Sequence, residues 1–232
     1  MVADVTVALE IARKRTFATA LEWPGWSRSG RDEAGALEAL LRHGPRFARA
    51  MAAAGVAFEP PADAARLIVV ERLAGTSGTE FGTPSVPPSF DAGPLDAAEL
   101  DRQVVVLGAA WTAFDEAARL HAGDELRKGP RGGGRDIPRM VAHVRDAEAA
   151  YLVQLGARPP KTGPDPAGMA ELHAAALAAL HAIVRGVPVE NPSRVTRAWM
   201  PRYYVRRAVW HALDHAWEIE DRAIPGYATG SA

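Results

Sequence analysis

Seven histidines stand in this 232-residue chain, and two of them, His211 and His215, are spaced for joint chemistry. In VWHALDHAWEIEDR a separation of four residues puts both imidazoles on one face of a helix, about one turn apart. Two rings so placed can share a divalent cation. The stripe through Met200, Tyr204, Ala208, His211 and His215 is otherwise apolar or aromatic, which points the pair inward, and Ala208 and Ala212 leave room beside it. Buried imidazoles resist being charged together, and ligating a cation as neutral bases resolves that conflict. Two polar side chains that merely hydrogen-bond have the same spacing. His143 is the third candidate, set among Met140, Val144 and Ala147 on an earlier helix. Three histidines from two facing helices leave coordination positions open to water or substrate, the pattern of a catalytic site.

Around this core the signals weaken. Glu218 follows His215 by three residues and is a candidate general base or a hydrogen-bond partner of a ligand, with a solvated carboxylate or a partner of Arg222 as the plainer readings. Glu148 is equally ambiguous. His173 and His181 lie off the main apolar stripe of their helix, which suggests partial exposure rather than ligation, and His121 sits where a helix C-terminus favours a cation. Arg206-Arg207 reads as ordinary surface charge or as a carboxylate site. Gly132-Gly133-Gly134 reads as a turn, since no strand precedes it and no Lys-Ser pair follows.

The elements that position these residues are legible in outline. Val5 to Ile11 alternates like a half-buried strand, Thr16 to Trp23 reads as a second and Trp26 to Ser29 as a third; Pro24-Gly25 marks a turn. Asp32 caps a helix through Leu37, Leu40 and Phe47, and Arg66 to Glu71 is a further strand. The order β-β-β-α-β predicts a small α+β domain over residues 1–74. Residues 75–94, rich in Gly, Pro, Ser and Thr, read as a linker. Residues 95–232 hold four periodic segments, starting near Asp96, Asp136, Pro166 and Pro201, and predict an antiparallel four-helix bundle. The fold class expected is therefore α+β.

Composition narrows the chemistry. The chain has no cysteine, so disulfides, thiolate ligands and a cysteine nucleophile are excluded. A formal net charge of -1 gives no field that attracts nucleic acid. No run of about 18 uninterrupted apolar residues predicts a membrane span, and MVADVTVALEIARKRTF lacks the apolar core of a signal peptide. A cytoplasmic protein acting on a small molecule is the expectation.

Two resemblances add to this. DIPRMVAHVRDAEAAYL and RRAVWHALDHAWEIEDR resemble the second and last helices of the DinB-like (DinB/YfiT) superfamily over about Leu95 to Ala223. That resemblance implies a helical-bundle metal site built from His143, His211 and His215; zinc or nickel is the expected ion, since imidazole suits both. Relatives include transferases and isomerases that use low-molecular-weight thiols, so a thiol cofactor is implied too. LEWPGWSRSGRDEAGALEALLRH resembles the HicB-like family, which implies a small partial ribonuclease-H-like module and, with it, a homodimer or an interaction protein as the alternative to an enzyme.

Overall fold

The computed structural model describes residues 4–128, 134–189 and 198–224. Gly132 and Gly133, read above as part of a turn, lie outside them. The fold is mixed α+β, an N-terminal sheet followed by helices. The chain divides into two compact units, Met1–Ala109 with Met200–Trp210, and Ala110–Trp199 with His211–Ala232.

In the first unit, β1 (Val5–Ile11), β2 (Thr16–Ala20), β3 (Ser27–Gly30) and β4 (Leu67–Ala74) form a sheet of order β3-β2-β1-β4. Helix α1 (Glu33–Ala52) provides the crossover that lets β4 run parallel to β1, while β1–β2 and β2–β3 are antiparallel. The order β-β-β-α-β is as the sequence suggested. Asp32 caps α1 by accepting from the Gly35 amide at 2.8 Å. The Pro24-Gly25 turn requires its glycine: φ is +84°, and a Cβ there would meet Val209 Cγ1 at 2.2 Å. A bulge interrupts the β1–β4 register, with Val7 opposite Val69 and Ala8 opposite Glu71, so that Val70 is the extra residue.

Strand β1 differs from the half-buried strand its alternation predicted. Val7 and Leu9 are buried on one face, and Ala8 and Glu10 are buried on the other. The second face is covered because residues 75–94 are not a bare linker. They contain helix α2 (Ser77–Phe81) and a 3₁₀ turn over Ser89–Ala92. The Glu10 carboxylate gathers this stretch, accepting from the amides of Ser85 at 3.0 Å and Val86 at 3.1 Å and from the Thr79 hydroxyl. Such charge-assisted bonds to backbone N–H groups order a segment that has no apolar periodicity of its own.

The helices that follow are α3 (Ala97–Leu120), α4 (Ile137–Leu155), α5 (Pro166–Val184) and α6 (Pro201–Arg222). Their starts obey local rules. Asp136 accepts from the Arg139 amide and Asp165 from the Gly168 amide, each at 2.9 Å, and proline occupies the first turn of both α4 and α5. Gly156 ends α4 in the left-handed conformation, φ +96°. A two-stranded ribbon, β5 (Glu125–Leu126) with β6 (Ala223–Ile224), follows α3 and α6. In the second unit Phe114, Met140, Val144, Leu152, Leu172, Leu180 and Leu213 are buried. Among the described residues α5 alone is long and apolar enough to cross a membrane by length and composition, at a mean hydropathy of 1.4. It also carries Glu171, His173 and His181.

Candidate metal centre

His143 projects from α4, and His211 and His215 project from successive turns of α6, all in the second unit. Their ring centroids form a tight triangle, 5.3 Å for His143–His211, 5.0 Å for His143–His215 and 4.6 Å for His211–His215. One nitrogen from each ring lies within 4.8 Å of the others. Tetrahedral ligation at about 2.1 Å would set nitrogens about 3.4 Å apart, within the 4.8 Å limit on their separation here. The donor set is thus chemically suited to a divalent ion that accepts imidazole.

Electrostatics favours a neutral ring at His143, as a ligand needs. Burial, and after it the positive charge of Arg135, holds the His143 imidazole below the ordinary histidine range; His215 adds to this, while Asp146 and Glu218 oppose it. His211 is almost wholly buried, and the His215 side chain is 12% exposed. Tyr151 stands edge-on to His211 with centroids 5.6 Å apart, and Trp199 lies 5.3 Å from Tyr151, so aromatic rings border the triad.

Glu218 is joined to the triad. His215 Nδ1 lies 2.9 Å from Glu218 Oε2, and the other carboxylate oxygen accepts from Arg222 Nη1. The His215 hydrogen bond, helped by Arg222 and opposed by burial, keeps the Glu218 carboxyl below its usual range. A carboxylate engaged at both oxygens and lowered in basicity has the geometry of a group that orients His215 through its Nδ1.

Other residues fall differently from the sequence expectation. Arg206 and Arg207 are not surface charges: both are buried, Arg206 pairs with Asp91 at 2.7 Å and donates to the carbonyls of Ala20 and Leu21, and Arg207 donates to that of Pro84. His173 is partly exposed and outside the triad, as expected; it also stacks on Trp111, and its Nε2 lies 2.9 Å from Glu148 Oε2. Trp111 Nε1 donates to the other oxygen of Glu148 at 2.8 Å. Beside this cluster Asp115 is pushed up by burial and by the charge of Glu148, against the pull of His173. The signal for the cluster was present in sequence: Glu148 falls in the α4 stripe with Val144 and Leu152, where an unpartnered carboxylate is costly. His121 bonds Asp124 at 2.7 Å. The chain matches no protein-family model, no curated protein and no solved structure.

Proposed function

We propose that this chain is a divalent-metal-dependent enzyme whose ion, zinc or nickel, is held by His143, His211 and His215. The observation that carries the reading is the convergence of three imidazole nitrogens within 4.8 Å, from two helices that are far apart in sequence, α4 and α6. When bound, such an ion supplies Lewis acidity to a water or thiol that joins it. The protein's own contribution is threefold. Three neutral ligands leave the cation's charge uncompensated, Glu218 fixes the tautomer of His215, and the Tyr151–Trp199 pair limits access of bulk water. With no cysteine in the chain, any thiol comes from a cofactor or a substrate. The reading rests also on the DinB-like resemblance, under which α3 to α6 form an antiparallel four-helix bundle in a cytoplasmic protein, and the reaction is a transfer or isomerisation of a small molecule that uses a low-molecular-weight thiol.

Metal analysis of the full chain purified without a histidine tag, with calorimetric titration of zinc and nickel, tests the proposal. One ion per chain is expected, lost in His211→Ala with helical circular dichroism retained. A wild-type chain that binds neither ion overturns it.

A second reading, a homodimeric interaction protein with a HicB-like module, is favoured by one observation: the edge strand β4 turns Ile68 and Val70 outward, 41% and 55% exposed. Sedimentation velocity on the full chain separates a dimer from a monomer.

A further inference from the structure

Glu218 is itself held. Arg222 donates through Nη1 to Glu218 and through Nε to the Arg127 carbonyl at 2.7 Å. The bond is returned, since the Arg127 amide donates to the Arg222 carbonyl at 2.8 Å and its guanidinium to the Asp221 carbonyl. Both arginines flank the β5–β6 ribbon, which pairs Leu126 with Ala223. Gly134 closes the remaining side: a Cβ there would lie 2.0 Å from Arg222 Nη2. Residues 215, 218 and 222 share one face of α6 at spacings of three and four.

We propose that Arg222 is a positioning residue of the histidine centre, fixing Glu218 between the β5–β6 ribbon and His215 so that His215 keeps its proton on Nδ1 and offers Nε2 as the ligand. The inference rests on the metal reading above. A carboxylate on an exposed helix turn samples several rotamers; here the guanidinium, a rigid planar fork with donors in two directions, ties it to a backbone carbonyl that cannot move with it. A lysine in this place has the charge without the fork, and reaches the carboxylate or the carbonyl but does not orient one against the other. Gly134 belongs to the same device, since any side chain there displaces the fork.

The test uses the full chain and two readouts. Long-range ¹⁵N–¹H correlation spectra of the metal-free protein report the His215 tautomer, and calorimetry reports zinc affinity. Wild type is expected to show His215 protonated on Nδ1 alone. Arg222→Gln and Gly134→Ala should each give a mixture of tautomers and weaken zinc binding about 10–100-fold, and Arg222→Lys should not restore either readout. In a Glu218→Gln background Arg222→Gln should add almost nothing, because the two act in series. Unchanged tautomer and affinity in both Arg222→Gln and Gly134→Ala, with zinc still bound by wild type, overturn the positioning role alone. A tautomer that follows Arg222 in a wild-type chain that binds no zinc upholds the positioning of His215 and overturns the metal reading.

Discussion

His173 lies flat on Trp111, ring centroids 3.7 Å apart and planes within 6°, and the two rings share Glu148, one at each carboxylate oxygen. The carboxylate is buried at 2% exposure, and these two partners compensate it. Glu148→Gln removes the charge and turns an acceptor on one side into an amide donor, so one of the two contacts must change its donor. A loss of about 1–3 kcal/mol is expected, read as a lower urea midpoint of the full chain. An unchanged midpoint would show that the cluster contributes nothing to stability.

The buried pair Arg206–Asp91 should behave asymmetrically. Asp91→Ala strands a guanidinium that is only 6% exposed, and about 3–5 kcal/mol should be lost. Adding Arg206→Met removes the stranded charge and should recover part of that loss, although the carbonyls of Ala20 and Leu21 then lose a donor. Chemical denaturation of both single variants and the double variant measures the coupling; strict additivity would contradict a direct pair.

Acid should weaken the first unit through Glu99. The hydrogen bond from Arg102, with those from Gln103 and Arg202, holds this carboxyl down to about 2 against the opposing effect of burial. Its folded value lies below the ordinary 4.5, so its stabilisation is complete above about pH 4.5 and disappears as pH falls toward 2. The side chain is 24% exposed, and solvent screening reduces the contribution to about 1–2 kcal/mol. Glu99→Gln should lose that amount at pH 7 and show a flatter stability profile between pH 4.5 and 2, measured by denaturation at a series of pH values.

Metal should also report on itself through stability. An ion that binds only the folded chain adds about 2.7 kcal/mol at a free concentration 100 times its Kd. Zinc should therefore raise the melting temperature of wild type and leave that of His211→Ala unmoved. An equal rise in both would assign the bound zinc to another place.

What sequence disclosed, and what it withheld, divides by range. Helix starts at Asp32, Asp136 and Pro166 and the His211–His215 spacing are local, and each follows from residues within one or two turns. His143 was reachable because it sits beside an apolar stripe on its own helix. Arg206 was misread because its partner is 115 residues away, and nothing near it in sequence offers a carboxylate at the right distance. The partial exposure of His173 was legible, but its partners were not, because the tryptophan and the glutamate it meets lie on other helices. Residues 75–94 looked like a connector because their order comes from Glu10, on a strand at the far end of the domain.

That last arrangement gives the Glu10 clasp a kinetic signature. The carboxylate and the Ser85 amide are separated by 75 residues, so the clasp closes a very long loop, and pairing of β1 with β4 shortens what remains to be closed. The Ser85 and Val86 amides point at a carboxylate and away from water, and each exchanges its hydrogen only when the clasp opens. Their exchange rates compared with those of Val7 and Leu9 at the centre of β1 reveal whether residues 75–94 detach while the sheet stays intact or are released only when the sheet itself comes apart.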